Sequence, residues 1–270
     1  MSPRSEPGAQ PGTEATDAAA SVDSAGVPWA GRSFQPNTHA ADDGRAPEGL
    51  VAALTAFRSG RGGQAPVVAE FARSRLLIPL LAELGDGGSE TGAHGLAVDK
   101  SQELSIVTVQ GPDGRKVLPV FASVEAMSHW NPLARPVPAD GVRVALAAAD
   151  DGTDLVVLDP GSPTEFVLRR PAVWAVAQSQ PWHPSFDSSE VRDAFERTIA
   201  TELAVLGVEL TAGDPDARLA GPELVVRLSL VAGLTRAELD AVLQRLAARW
   251  AADDAIAMLV DSLTVRLISA

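Results

Sequence analysis

The clearest periodic pattern of apolar and polar residues lies in the last third of the chain. Residues 224–230 alternate, with apolar side chains on one face and Arg227 and Ser229 on the other, which predicts a half-buried strand. Residues 263–267 alternate in the same way. Upstream, four apolar residues at every fourth position predict one face of an amphipathic helix: Val191, Phe195, Ile199 and Leu203.

A second helix in this region is predicted by both its start and its apolar stripe. Thr235 and Glu238 have the spacing of a capping box. The stripe behind them consists of Leu239, Val242, Leu243, Leu246 and Trp250. With a further strand at 207–211, the order over residues 187–270 is α-β-β-α-β, which suits a small sheet covered on one face by two helices.

The pattern over residues 47–180 predicts a larger N-terminal domain of mixed α/β class. The apolar runs 76–81 and 155–158 predict buried strands. The first helix face consists of Leu50, Leu54 and Phe57. Together with the smaller C-terminal domain, these elements predict an α/β (α+β) fold class.

Turn and cap signals subdivide this larger domain. Residues 103–110 and 116–121 flank a Gly-Pro-Asp-Gly turn, which predicts a hairpin. Ser123 has the chemistry of a helix cap, and the helix behind it is expected to end near Trp130. The proline-containing stretch 178–187 predicts an extended linker between the two domains.

Residues 1–46 differ from the rest of the chain in composition. They are rich in Pro, Gly, Ala, Ser, Thr and Asp, which predicts a flexible, disordered tail. The segment 27–34 is an exception because it carries Trp29 and Phe34. We expect these side chains either to dock on the folded domains or to bind a protein partner; docking is favoured because burial removes apolar surface from water.

Composition excludes several classes of function. The net charge of −13 is spread along the chain without a basic cluster, so a nucleic-acid partner is not expected. The chain has no cysteine, which excludes thiol nucleophiles and iron–sulfur clusters. No apolar run reaches the roughly 18 residues of a membrane span. The N-terminus lacks the apolar stretch of a secretory signal, so we expect a cytoplasmic protein without membrane contact.

Residues with catalytic or metal-binding potential do not form a recognisable constellation. No serine-nucleophile or phosphate-loop motif occurs. The four histidines lack metal-ligand spacing: His39, His94, His129 and His183. We therefore expect no catalytic residues, no metal and no cofactor.

One place in the sequence is a candidate ligand site. Arg169 and Arg170 follow a predicted strand and precede a helix that opens at Pro171. An anion there would meet two guanidinium groups and unpaired helix N–H groups, with Ser162 on a neighbouring turn. The alternative is that both arginines form salt bridges with the abundant acidic residues.

Three segments resemble the SseB ("enhanced serine sensitivity") family of bacterial proteins. They are Arg75-Leu-Leu-Ile-Pro-Leu, Leu118-Pro-Val-Phe-Ala-Ser-Val-Glu-Ala-Met and Leu155-Val-Val-Leu-Asp-Pro-Gly-Ser. Residues 187–270 resemble the C-terminal domain that often follows, and the segment starting at Val27 is similar to actinobacterial members. The resemblance implies a fold but no catalytic residues.

These observations support three hypotheses. The first is a non-enzymatic protein that acts through a protein partner. The second is a small-molecule sensor that binds an amino acid or anion near Arg169, Arg170 and Ser162. The third is an enzyme of unrecognised type. A homo-oligomer that forms through the edge of the C-terminal sheet is a further hypothesis.

Overall fold

The computed structural model describes residues 42–82 and 104–269. Residues 42–177, apart from the gap, form the first region, and residues 185–269 form the second. The first region contains α1 (Glu48–Arg58), α2 (Gln64–Arg73), β1 (Arg75–Ala82), β2 (Leu104–Ile106), β3 (Val109–Gln110), β4 (Lys116–Val120), α3 (Val124–Trp130), β5 (Arg135–Asp140), α4 (Gly141–Asp150), β6 (Leu155–Leu158), β7 (Phe166–Leu168) and α5 (Arg170–Ala177).

The second region opens with a 3-10 turn at Ser185–Asp187, which three α-helices and three strands follow. Its elements are α6 (Ser189–Ile199), β8 (Val205–Ala212), β9 (Leu224–Leu230), α7 (Arg236–Ala252), α8 (Asp254–Leu259) and β10 (Leu263–Ser269). No helix among the described residues combines the length and the apolar character that a membrane crossing requires.

The strands form three sheets. The first has the order β2-β1-β5 and is antiparallel. The second has the order β3-β4-β6-β7, with β4 and β6 parallel at its centre. These two sheets are joined by a reciprocal pair of backbone hydrogen bonds between Leu77 and Phe121, at 2.8 and 2.9 Å. The third sheet has the order β10-β9-β8, in which β10 runs parallel to β9 and β8 antiparallel.

Each region has its own apolar core. In the first region, α1, α2, α4 and α5 contribute to a cluster with β4, β6 and β7, centred on Phe71, Val120 and Phe166. In the second region, Phe195 of α6 packs edge-on against Trp250 of α7, with ring centroids 5.2 Å apart. Burying such side chains is the main favourable contribution to folding.

Local chemistry starts several of these elements where the sequence predicts. The Ser123 hydroxyl accepts the Ala126 N–H of α3 at 3.1 Å. The predicted capping box of Thr235 and Glu238 is present at the start of α7. Gly141 opens α4 directly against the end of α2, where a Cβ atom would lie 2.0 Å from the Phe71 carbonyl oxygen, so only glycine fits there.

The predicted fold class, α/β (α+β), is confirmed, whereas three details of the sequence analysis are wrong. The hairpin strand at 103–110 is divided, because Leu104–Ile106 pairs with β1 and only Val109–Gln110 pairs with β4. The amphipathic helix ends at Ile199, which leaves Leu203 92% exposed. Residues 185–187 form a 3-10 turn rather than extended linker.

Other predictions about organisation stay open. The domain bounds 47–180 and 187–270 stay predictions. Most of the predicted tail, including Trp29 and Phe34, lies outside the described residues. Its last residues contact the first region, since Asp42 forms a 2.7 Å ion pair with Arg75 and the Gly44 carbonyl accepts the Val124 N–H.

Candidate functional site

Arg169, the first residue of the predicted anion site, is buried where the first and second regions meet. It precedes α5, and only 7% of its side chain is exposed. Its Nη2 donates to Asp214 and to the Gly221 carbonyl, at 2.7 Å each. Its Nη1 donates to Asp261 at 3.1 Å and to the Ser262 hydroxyl at 3.3 Å. The side chain therefore links the first region to two loops of the second.

Arg115 binds the same Asp261 carboxylate from the β3–β4 turn. Its two terminal nitrogens reach the two carboxylate oxygens at 2.9 and 3.1 Å, a bidentate pairing. Burial alone would raise the pKa of Asp261, but hydrogen bonds and charge from Arg115, with the charge of Arg169, outweigh it and lower the pKa. Asp261 is thus held ionised between two cations.

Glu223 completes this cluster on the side of the linker. Its carboxylate accepts the Asp261 N–H at 2.6 Å and the Ser185 N–H at 3.4 Å. Burial raises its pKa, and the nearby charge of Asp261 adds to the increase, although the hydrogen bonds oppose it. We call the five charged residues of this cluster the ionic junction: Arg115, Arg169, Asp214, Glu223 and Asp261.

Arg170 has a different set of partners from its neighbour. Its Nη2 donates to the carbonyl oxygens of Ala257 and Val260, at 2.8 Å each, and so caps the end of α8. Its guanidinium also lies 5.1 Å from the centre of the Trp174 ring, a cation–π distance. Arg170 therefore also joins the first region to the second.

Ser162 lies in the turn between β6 and β7. Its hydroxyl is 2.9 Å from the Thr164 hydroxyl, and its N–H donates to the Asp159 carbonyl. These contacts do not involve Arg169 or Arg170, so the three predicted site residues do not converge through direct bonds. The predicted anion site stays a prediction. The salt bridges of Arg169 with Asp214 and Asp261 are those of the alternative hypothesis, in which the arginines pair with acidic residues.

A wide recess on the described surface lies between α2 and the residues that follow α5. We call it the α2–linker groove. It has a volume of about 630 Å³ and is mainly apolar. The lining residues on its helical side are Ala65, Pro66, Val68, Ala69, Ala72, Arg73, Val142 and Val176. The linker contributes Ser179, Gln180, Pro181, Trp182 and His183.

A second recess lies on the other side of the same linker. Its volume is about 330 Å³, and it shares Gln180, Pro181, Trp182 and His183 with the groove. Its remaining apolar side chains include Trp174 and Met258, which is 52% exposed. The linker is therefore flanked by apolar recesses on both sides. Its sequence predicts only a connection between domains, although the Pro-Trp-His-Pro composition is a signal for an apolar surface.

A smaller recess of about 230 Å³ contains a buried carboxyl group, and we call it the Asp159 recess. Asp159 follows β6 at the carboxyl ends of the parallel strands, with φ of +49°. It accepts the Ala122 N–H at 2.8 Å and the Thr164 hydroxyl at 3.1 Å. Burial raises its pKa despite these hydrogen bonds. Ser123 and His129 also line the recess.

Within residues 42–82 and 104–269, no three or more His, Asp or Glu side chains are grouped to hold a metal ion. His129 and His183 belong to different recesses. His39 and His94 lie outside the described residues.

Comparison with known proteins identifies one part of the chain. Residues 50–175 match the family model of the SseB protein N-terminal domain. The match spans most of the first region and includes the residues on the helical side of the α2–linker groove except Val176, whereas the linker residues lie just beyond it. No curated protein and no solved structure matches the chain.

Proposed function

The chain belongs to the SseB family through its N-terminal domain, and we propose that it is a non-enzymatic cytoplasmic protein that acts by binding a protein partner. The observation that carries this proposal is the α2–linker groove. The groove has a volume of about 630 Å³, it is lined mainly by apolar side chains, and its linker wall contains Trp182. Tryptophan in an apolar recess is the residue type that most often dominates binding energy at protein interfaces.

The lining of the groove supports binding rather than chemistry. Its only titratable side chains are Arg73 on α2 and His183 on the opposite, linker wall. Acid–base catalysis requires titratable groups that converge on one reacting atom, with a nucleophile or a second base between them. Here the other lining residues of the helical side, such as Val68, Val142 and Val176, carry no such group.

The groove also indicates the chemistry of the partner. An apolar side chain would pack against Trp182. A carboxylate would be favoured beside Arg73, which pairs with Glu70 at 3.1 Å and has 72% of its side chain exposed. We therefore propose a partner segment that carries apolar residues with an acidic residue at one end. Affinity would come from the apolar part, because an exposed ion pair contributes little.

Photo-crosslinking from the linker tests this proposal. A photoreactive amino acid replaces Gln180, which is exposed and lines both recesses, and the matched control replaces Gln244, which is exposed on α7. We expect a discrete adduct with one protein in cells from position 180 and none from position 244. Equal labelling from both positions, or none from either, would overturn the proposal.

A small-molecule sensor is the second candidate, and the Asp159 recess is the observation that favours it. A ligand with an ammonium or hydroxyl group could donate to the buried Asp159 carboxylate, and an amino acid is of suitable size for about 230 Å³. Binding at saturation would stabilise the folded chain.

A thermal-shift screen tests the sensor. Amino acids should raise the melting temperature of the wild type but not of Asp159→Asn, if the recess is the site. Phosphate should raise it, and Arg170→Ala should abolish the rise, if the anion site at Arg169, Arg170 and Ser162 exists. No stabilisation at millimolar concentration of any compound would reject the sensor hypothesis.

A further inference from the structure

The edges of the three sheets are protected from further pairing in all but one case among the described strands. Strands β2, β3 and β7 are only three, two and three residues long. Strand β5 contains Pro136 and Pro138. Strand β8 has a register shift between Val205 and Gly207 and an outward Glu209. Short length, proline, bulges and charges are the known means by which proteins prevent edge-to-edge association.

Strand β10 lacks short length, proline and a bulge, and its one charged side chain is Arg266. It is seven residues long, contains no proline and pairs with β9 in one unbroken register. Its opposite edge makes no backbone hydrogen bond within the part of the chain that the structure describes. That edge therefore presents a row of donors and acceptors that a further strand would satisfy.

The side chains of β10 indicate what the missing strand would contain. Leu263, Val265 and Leu267 share the face that packs on the helices, since they pair with core residues of β9. Leu267 is 45% exposed although its partner Leu228 is fully buried. The apolar face thus continues past the edge of the sheet.

We propose that β10 pairs antiparallel with β10 of a second copy of this chain, with a two-fold axis at Val265. This register places Leu263 opposite Leu267 of the second copy and Val265 opposite Val265 of the second copy. The core-facing pairs are then all apolar. On the other face, Thr264 lies opposite Arg266 of the second copy. The result is a continuous six-stranded sheet with an isologous interface.

Competing registers fit less well. An axis at Arg266 would set two guanidinium groups opposite each other, beside the Arg227 side chains on the same face. An axis at Leu267 would oppose Val265 to Ser269. Registers with the axis between two residues, such as Val265 and Arg266, would place apolar side chains opposite polar ones, because opposite residues share a face. The inference concerns a surface distinct from the α2–linker groove and does not depend on the proposed partner.

The mass of the full chain in solution provides the first test. Light scattering after size exclusion, over a concentration series, should give a species of twice the 28.0 kDa chain mass. Leu267→Lys should weaken dimerisation at least about tenfold, because it places a charge on the apolar face of the edge. The matched control is Leu206→Lys on the β8 edge, where the wild-type side chain is 60% exposed. A monomer at every concentration, or equal effects of the two variants, would overturn the proposal.

Disulfide formation provides a second test that reports the register. The chain has no cysteine, so a single introduced thiol has no other partner within the same chain. Opposed residues in an antiparallel pair have Cα atoms about 4.5–5.5 Å apart, within the range that a disulfide spans. Val265→Cys should form a covalent dimer under mild oxidation, and Glu209→Cys should not. A covalent dimer from Arg266→Cys in place of Val265→Cys would refute the proposed axis.

Discussion

The ionic junction and the α2–linker groove are opposite kinds of surface in one chain. The junction concentrates five charged residues, and its Arg169 and Asp261 are almost fully buried. The groove is mainly apolar and open to solvent. Arginine and acidic residues in a sequence suggest ligand sites, yet here Arg115 and Arg169 bind the carboxylates of Asp214 and Asp261. The accessible recess is formed mainly by alanine, valine and proline together with Trp182, and none of these residue types is a catalytic or ligand-binding motif.

The largest expected effect concerns the centre of the junction. Arg169→Met removes a buried cation and leaves Asp214 and Asp261 with fewer partners, so we expect a loss of about 3–5 kcal/mol in the free energy of unfolding. Urea denaturation measures it. The control is Glu209→Gln, which breaks the exposed 3.1 Å pair with Arg227 and should cost under about 1 kcal/mol. Similar losses in the two variants would show that the junction contributes no more than a surface pair.

A smaller loss is expected at the neighbouring arginine. Arg170→Ala removes two hydrogen bonds to the end of α8 and the contact with Trp174, which together predict a loss of about 1–2 kcal/mol. Arg170→Lys keeps the charge but cannot reach both carbonyl oxygens in the same way. It should therefore recover only part of the loss in urea denaturation. Full recovery by lysine would indicate that charge alone matters at this position.

The contrast between Arg169 and Arg170 shows what sequence can and cannot predict. The start of a helix at this pair is predicted correctly, because strand and turn signals are local: Arg169 precedes α5 and Arg170 is its first residue. The partners of Arg169 are not predicted, since Asp214 and Asp261 lie 45 and 92 residues away in the chain. Such pairings depend on how the two regions pack, which no periodicity encodes.

Local and non-local signals differ in the same way elsewhere in the fold. The caps at Ser123 and Thr235 were predicted because each uses a residue three positions away. Strand β5 was missed because its two prolines argue against a strand, and its pairing with β1 is what makes it one. The groove was missed because its two walls come from α2 and the linker, more than 100 residues apart.

Glu223 and Asp261 of the ionic junction should change the free energy of unfolding in opposite directions as the pH falls, because their pKa values are shifted in opposite directions. The pKa of Glu223 is raised in the folded state, so between neutral pH and its ordinary value near 4.5 the folded chain binds more protons than the unfolded chain. As the pH falls through that window, the folded chain takes up a proton at Glu223 before the unfolded chain does. The free energy of unfolding therefore rises. Each unit of pKa elevation corresponds to about 1.4 kcal/mol. Asp261 acts oppositely: its stabilising contribution is present above its ordinary pKa and is lost at lower pH.

Urea denaturation at a series of pH values measures this dependence. Glu223→Gln should remove the rise in the free energy of unfolding that occurs as the pH falls from neutral toward 4.5. The decrease at lower pH, which arises from Asp261, should remain. The comparison between the wild type and the variant isolates one group from the background of other carboxylates. An unchanged profile in Glu223→Gln would mean that this carboxyl group does not titrate differently in the folded chain.

The smallest effect on stability is expected in the groove, where the functional effect should be largest. Ala69 is exposed on α2, so Ala69→Glu should change the free energy of unfolding by less than about 0.5 kcal/mol. The new carboxylate would nevertheless lie among apolar side chains and repel the acidic partner segment. Crosslinking from position 180 should therefore fall at least about tenfold, whereas Ala248→Glu, an exposed alanine on α7, should leave it unchanged. If Ala69→Glu lowered the free energy of unfolding but left crosslinking unchanged, the α2–linker groove would be a structural element and not a binding surface. Its contrast with the ionic junction would then be lost.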